Sequence, residues 1–321
     1  MISTHTLPGR WTWVGRRRVA LGLLWLAGAA QPASAGMQEI LNAIQQSEFT
    51  FARTASEVPF MPLGWIQERY YSNSRFEAER DGLPSVTVAQ NTLGLGAVLP
   101  PYVATHDMLL LGGDLSWNYI AVKSGPFQDQ SVLRLTPVAG WLHQFANQEL
   151  LGAFVAPILS KELRGDGPWG YSGYGGVVGM HWFSDEFQLL YGGVYEYSFG
   201  RHAGYPYLGL QWLPTPRCSL SLVYPWPTVT YAPADRWILQ LGVGPGGTSW
   251  VQRGDGYETT ESLASWNLTA GVGYRFYEKL WLFAGGGVAG LRGFEIESDD
   301  HQTRFESRPG PSFTVAIQFR P

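Results

Sequence analysis

Charged residues are scarce in this sequence and cysteine is nearly absent. Only 15% of the 321 residues are Asp, Glu, Lys or Arg, whereas an ordinary soluble domain carries about 25%. The single cysteine, Cys218, excludes an intramolecular disulfide and has no local histidine that would make it a nucleophile. The chain therefore lacks both a charged water-facing surface and the crosslinks of a small secreted domain.

The N-terminal region lacks acidic residues and has the three parts of an export signal. Four arginines precede the apolar run 19–27, and Ala33-Ser34-Ala35 follows, so we predict a signal peptide over 1–35 that is cleaved near Ala35. The run is too short for a transmembrane anchor. Without those four arginines, 18 basic residues face 26 acidic ones, a formal charge of −8. That balance predicts no nucleic-acid partner.

Glycine and aromatic residues are abundant instead, and apolar residues alternate with polar ones. The chain has 40 Gly and 14 Trp. In 265–276, Trp266 and Phe276 share the apolar parity, while Asn267 and Arg275 share the polar one. Strict alternation predicts strands. The same pattern recurs, in clear or weaker form, in 85–99, 107–119, 131–145, 149–160, 171–183, 187–199, 204–212, 217–223, 236–252, 279–294 and 312–319.

The two faces of these strands favour a membrane over bulk water. The polar faces carry Ser, Thr, Asn, Gln and Gly with isolated charges, which suits a lumen better than a soluble surface. From Trp266 to Phe276 an extended strand spans ~33 Å, or ~25 Å of height at a tilt of ~40°, which is the height of a lipid-facing band between aromatic girdles. We therefore predict an all-β fold, a transmembrane antiparallel β-barrel in outer-membrane lipid. A secreted all-β fold is the alternative.

The spacing of turns predicts about 14 strands. Such barrels alternate short periplasmic turns with long outer loops. The alternation holds if 228–231 is a strand of its own and if a first strand occupies 62–76. The alternative is 12 strands, with both segments outside the wall. The predicted divisions are the signal 1–35, an N-terminal lead segment 36–61 of unknown role, and the barrel 62–321.

One stretch resembles a known family. Residues 206–247 run from a Pro-x-Leu-Gly-Leu-x-Trp strand through Tyr224-Pro-Trp-Pro227 and Thr228-Val-Thr-Tyr231 to a Trp-led strand with alternating glycines. This order of parts resembles an uncharacterised bacterial family of outer-membrane β-barrels, catalogued as domain of unknown function 6268. The resemblance extends over most of 85–320 and implies a Gram-negative outer-membrane location and a porin-like fold. It supplies no catalytic residues.

The C-terminal strand is similar to the assembly signal of outer-membrane barrels. Phe313, Val315, Ile317 and Phe319 alternate and end in an aromatic residue. The resemblance implies recognition by the barrel-assembly machinery. Arg320 and Pro321 after the aromatic depart from the pattern and weaken that implication.

The sequence offers little catalytic chemistry. Outer-membrane lipid enzymes resemble one another in a His-x-Ser element, and no histidine of the mature chain has Ser two places on. The acidic stretch 295–301 has oxygen ligands suited to Ca²⁺, but a solvated loop explains it better. We predict no catalytic residue, cofactor or metal. A triad assembled across strands, giving a lipid-acting enzyme, is the least favoured alternative.

Strand parity places a set of polar side chains in the lumen. Either these residues pair with one another and fill the barrel, or they line a passive pore for small polar solutes. A structural or surface-interaction barrel is the other hypothesis, and the oligomeric state is left open. The candidate lumen residues are Asp114, Arg134, Glu196, Gln240, Asn267 and Arg275.

Overall fold

The computed structural model describes residues 56–78, 84–145, 148–198, 201–253, 258–297 and 302–320, without the side chains of 198, 201, 291 and 292. All of them belong to one compact unit, Glu48–Pro321. The predicted signal peptide and most of the lead segment 36–61 lie outside the described residues. No helix in the described part is long and apolar enough to cross a membrane.

In the described residues, fifteen antiparallel strands form one sheet that closes on itself. Each strand from β1 to β13 pairs with the next along the chain, β15 also pairs with β13, and β1 pairs with both β14 and β15 to close the ring. The strands are β1 Gly64–Ala78, β2 Val86–Val103, β3 Asp107–Ser124, β4 Gln130–Phe145, β5 Glu149–Glu162, β6 Gly170–Trp182, β7 Phe187–Ser198, β8 Arg201–Thr215, β9 Cys218–Val223, β10 Thr228–Ala234, β11 Trp237–Arg253, β12 Glu258–Tyr277, β13 Leu280–Glu297, β14 Gln302–Ser307 and β15 Gly310–Phe319.

The wall has 14 strand positions, because β14 and β15 occupy one between them. Both pair with β13 on one side and with β1 on the other, and only residues 308–309 separate them. The prediction of about 14 strands is confirmed, and the alternative of 12 is excluded. The segment 228–231 is part of β10, and β1 lies within two residues of the first strand expected at 62–76.

The two ends of the barrel differ in their connections. One end, which we call the terminal end, holds the start of β1 at Gly64 and the end of β15 at Phe319. The opposite end, the loop end, includes the connections 125–129 and 163–169. The loops expected at 200–203, 253–260 and 295–302 are shorter than predicted, because β8, β11, β12 and β13 extend into them.

The extra strand length explains why β14 was missed. Beyond the lipid band the outward face is charged, as at Arg75 and Glu77 of β1 and Glu306 of β14, so apolar alternation no longer marks the strand. The backbone pairing continues there regardless of the side chains.

The outward face of the wall is apolar and exposed. Leu93, Leu95, Leu111 and Leu115 project from neighbouring strands, and between 36% and 53% of the surface of each residue is exposed. Trp141 faces outward towards the terminal end, level with Leu109, and Trp117 lies eight residues further along β3. Eight residues give a band ~20 Å high once the strand tilt is included. This is a transmembrane β-barrel, as predicted.

At the loop end the barrel flattens into two packed layers. Inward side chains of β1–β4 meet those of β11–β14 in an apolar cluster, and β11 contacts β4, β5 and β6 across the lumen. Phe127 of the 125–129 loop packs against the cluster. The cluster comprises Phe76, Val86, Val88, Ile120, Val132, Trp250, Leu263, Phe294 and Phe305. One side of the loop end is therefore a sealed apolar core.

A glycine in β13 tests how closely the wall strands are packed. A Cβ on Gly287 would lie 1.9 Å from the carbonyl oxygen of Leu268, which no side-chain rotation can relieve. We expect Gly287→Ala to lower the free energy of unfolding by about 3 kcal/mol or more. The loss is measured as a lower temperature for the heat-dependent gel shift of the folded barrel.

The control is Gly193→Ala, because a Cβ on Gly193 meets nothing within 4 Å. It should change the free energy of unfolding by less than about 1 kcal/mol. Equal shift temperatures for the two variants would contradict the described register of β12 and β13.

Candidate functional site

The six predicted lumen residues lie on the inward face of the wall but not in one cluster. Asp114, Arg134 and Glu196 lie in the middle of the barrel and towards the loop end, whereas Arg275 lies near the terminal end. Gln240 pairs with Gly271, and Asn267 is buried beside Gly246. Within the described chain no ion pair of 4 Å or less joins any two of them, so the expected direct filling by charge pairs is not seen.

The wall is incomplete on one side, where β9 and β10 are short. Their hairpin ends at Val223 and Thr228, which are level with Gly209 of β8 and Gly242 of β11. Beyond those levels β8 pairs only with β7, and β11 pairs only with β12. The tip of the hairpin, residues 224–227, thus forms the floor of a gap between β8 and β11.

A cavity of about 840 Å³ fills this gap and continues into the barrel. One wall is the inner face of β4–β8, including Arg134, Tyr174 and Tyr205. The opposite wall includes Pro245 and Trp266, which have the outward parity. They face the cavity because β11 leans into the lumen. We call this space, between the inner face of β4–β8 and the outward face of β11–β14, the lateral cleft.

A hydrogen bond links β11, in its inward position, to β4. Arg134 Nη1 donates to the carbonyl oxygen of Gly247 at 3.1 Å, across the lumen. The cleft and the apolar cluster both follow from this position of β11, since one face of β11–β14 packs onto β1–β4 and the other face borders the cleft. Trp266, which the sequence placed at the lipid girdle, lines the cleft instead.

Aromatic side chains concentrate at the cleft. Tyr205 lies 6.5 Å from Tyr224 between ring centroids, and Tyr207 lies 6.4 Å from Trp226. Sequence reasoning missed these residues because β8 was read as a weak strand with no assigned parity. The signal was present: Tyr205 and Tyr207 alternate with Pro206 and Leu208, and Leu208 is outward and 56% exposed.

The loop end is capped by polar contacts. The Tyr119 hydroxyl donates to Asp129 Oδ2 at 2.6 Å, and the Val122 N–H donates to Oδ1 at 2.8 Å. Burial alone would raise the pKa of Asp129, but these two donors and the Arg164 guanidinium lower it below its usual value. Glu162 accepts backbone hydrogen bonds from Ser131 and Arg164 and so fixes the 163–169 loop.

The described part of the lead segment crosses the terminal end. The Glu57 N–H donates to the Pro216 carbonyl at 2.7 Å, and Glu57 pairs with Arg217 in the β8–β9 turn at 2.6 Å. Val58 is buried with Ile238 and Trp281. The Leu63 N–H then donates to the Phe319 carbonyl at the far side. We call residues 56–63 the strap, because they span the terminal opening from β9 to β1.

Charge reinforces the contact between the strap and the wall. A hydrogen bond and the charge of the Glu57 carboxylate raise the pKa of the Arg217 guanidinium above its usual value. Arg275 takes no part in this ion pair. Its guanidinium lies 5.9 Å from the centroid of the Trp281 ring.

Two histidine–carboxylate pairs lie outside the lumen. His143 Nδ1 is 2.9 Å from Asp107, and His181 Nδ1 is 2.7 Å from Glu149. Each pair faces outward near the terminal end, among aromatic rings such as Phe145 and Phe183. In the described residues, neither pair forms a hydrogen bond with a serine hydroxyl that could act as a nucleophile. They are polar members of the aromatic girdle, a role that the sequence analysis did not identify.

The described residues contain no group of three or more His, Cys, Asp or Glu side chains arranged to hold a metal ion. The acidic stretch 295–301 is described only as far as Glu297, where β13 ends. The sequence Arg-Gly-Asp-Gly occurs at 164–167, within the loop-end cap, and at 253–256, of which 254–256 lies outside the described residues.

The strap can be tested by proteolysis. We expect Arg217→Ala to speed cleavage after Glu57 by a glutamate-specific protease, because the variant loses the ion pair that holds Glu57. The increase should stay below about tenfold, since exposed ion pairs are weak. Cleavage is followed by mass spectrometry on the folded barrel in detergent.

Arg236→Ala is the matched control. Arg236 is an exposed arginine in the β10–β11 turn at the same end, and the strap makes no ion pair with it in the described structure. Faster cleavage in both variants would indicate general loosening of the terminal end and would argue against a specific contact.

Comparisons with solved structures find other outer-membrane barrels at low similarity. An outer-membrane channel from Pseudomonas putida F1 is 11% identical, with a TM-score of 0.44, covering 82% of this chain and 97% of that one. A Pseudomonas aeruginosa FadL homologue is 11% identical with a TM-score of 0.36, covering 85% and 98%. The translocator domain of the autotransporter NalP from Neisseria meningitidis is 11% identical with a TM-score of 0.37, covering 92% and 98%.

One family model matches this chain in sequence. No curated protein matches the chain. The model of the family described as Domain of unknown function (DUF6268) matches residues 172–320, from β6 to the end of β15. The match includes 206–247, on which the resemblance was based, and leaves 85–171 outside it. Residues 172–320 are similar to this uncharacterised family, and the match covers less than half of the 321 residues.

Proposed function

We propose that the protein is an outer-membrane channel for small molecules. The supporting observation is the lateral cleft, a cavity of about 840 Å³ that is lined by inward residues of the barrel and lies at the gap in its wall. The apolar outward band supports placement in a membrane, and the predicted export signal supports the outer membrane of a Gram-negative cell.

The geometry favours a narrow path over a wide aqueous pore. The apolar cluster fills one side of the loop end, and the strap crosses the terminal end. A general porin has a lumen open along its whole height. Passage here would run from the cleft through the middle of the barrel and past the strap.

The side chains along this path suit small solutes with mixed character. Arg134 and Glu196 both line the cleft, and neither forms an ion pair within 4 Å in the described chain. Tyr174 and Tyr205 add ring faces beside them. The predicted passive pore for small polar solutes therefore stands as part of this proposal, with aromatic contacts added to the polar ones.

A surface-interaction barrel has less support from the structure. That hypothesis depended on long outer loops at 253–260 and 295–302, and strands occupy much of both segments. The proposal of a channel is tested by planar-bilayer recording with the purified full-length protein. Discrete conductance steps above the lipid background are expected, and their absence in protein that shows a heat-dependent gel shift would remove the channel.

Ion selectivity tests whether Arg134 lies on the conducting path. In a salt gradient, we expect Arg134→Glu to shift the reversal potential towards cation selectivity, because the substitution replaces a positive charge with a negative one beside the path. Arg75→Glu makes the same charge change on the outer face at the loop end, where Arg75 pairs with Glu77. It should leave the reversal potential unchanged, and equal shifts would place the path elsewhere.

A further inference from the structure

The gap above the β9–β10 hairpin lies at the height of the lipid band. Tyr195 of β7 pairs with Gly204 of β8, and Trp266 of β12 pairs with Pro245 of β11. Both levels lie further towards the loop end than the last pairs made by the hairpin, Gly209 with Val223 and Gly242 with Thr228. The wall is therefore open on this side while β7 still presents outward side chains such as Tyr195, which is 53% exposed.

An open edge in lipid requires a polar environment. The peptide groups of β8 before Leu208 and of β11 after Val243 have no strand partner on the side of the gap. Unsatisfied backbone groups facing hydrocarbon cost several kcal/mol each, so irregular edges in membranes occur where they line a cavity that holds water. The lateral cleft is such a cavity, since Arg134 and Glu196 line it.

The hairpin tip presents aromatic rings at the mouth of the cleft. Tyr224 and Trp226 are 55% and 41% exposed. Trp226 lies against Gly244, where an added Cβ would come within 3.1 Å of the indole ring. Aromatic side chains with one apolar and one polar edge prefer the boundary between hydrocarbon and water. The rings therefore occupy the position where a molecule would leave the lipid and enter the cleft.

We propose that the lateral cleft is a portal through which small amphipathic molecules pass between the membrane and the lumen. This rests on the proposed channel and adds its route and its class of substrate. The ring faces of Tyr205 and Trp226 contact the apolar part of the molecule. Arg134 and Glu196 provide one donor and one acceptor, so the head group is a neutral one such as a hydroxyl, which both can bind.

A lipid-confined probe tests whether the cleft is continuous with the bilayer. The protein is reconstituted with phosphatidylcholine that carries a diazirine on one acyl chain, irradiated, and mapped by mass spectrometry. The probe cannot reach the lumen through either aqueous end. We expect labelling of the inward residues Tyr174 and Tyr205 as well as of the outward Leu208, and no labelling of Leu110, which faces inward on β3 away from the cleft.

A competition experiment tests the ligand class. We expect 2-phenylethanol, which has one aromatic ring and one hydroxyl, to reduce labelling at Tyr174 and Tyr205 while labelling at Leu208 stays constant. Glycerol at the same concentration lacks the ring and should have no effect. Trp226→Ala should weaken the competition by 2-phenylethanol, whereas Trp237→Ala removes an equally exposed Trp at the terminal end and should leave it unchanged.

The outcomes separate the portal from the channel. A protein that conducts in planar bilayers but whose Tyr174 and Tyr205 stay unlabelled overturns the portal and leaves the channel in place. Labelling that 2-phenylethanol does not reduce also overturns the portal, because the cleft would then hold only lipid chains. Labelling and competition in a protein that does not conduct support the lipid-side opening and remove the channel.

Discussion

Hydrogen bonding of the backbone in lipid is the constraint on which this structure depends. Hydrocarbon offers no partner for N–H and C=O groups, so a chain that crosses with strands must pair every edge. The ring of 14 strand positions does this almost everywhere, closing through the pairs of β1 with β14 and β15. Above the short β9–β10 hairpin, pairing between β8 and β11 stops within the lipid band, and the lateral cleft lies at this gap.

The second determinant is the apolar cluster at the loop end. A barrel wall with polar inward faces can remain round around water, but inward Phe76, Trp250 and Phe294 gain free energy by meeting one another. Their contact draws β11–β14 onto β1–β4 and leaves the outward face of β11–β14 bordering the cleft. The cleft is thus a consequence of packing on the opposite side of the barrel, and Arg134 bound to Gly247 marks the line between the two halves.

Alternation along the chain was enough to predict the strands, because the lipid face selects apolar residues at every second place. It placed Asp114, Arg134 and Arg275 on the inward side, while the spacing of short and long turns identified the separate strand at 228–231. It failed where the selection weakens. Beyond the lipid band, both faces of β14 are polar or mixed, so β14 shows no apolar alternation. Near Pro245 the outward side of β11 faces the cleft, so an outward position in the alternation does not identify a residue that contacts lipid.

The sequence by itself determined a transmembrane barrel and its approximate strand count, since period-two alternation and aromatic ends are local properties that need no knowledge of neighbours. Only the tertiary structure decided what fills the barrel. Contacts between strands far apart in the chain decide whether Trp266 faces lipid or a cleft. They also decide whether residues 56–63 cross the terminal opening and whether charged residues meet each other. Those contacts follow from the closure and flattening of the whole sheet, which no single strand specifies.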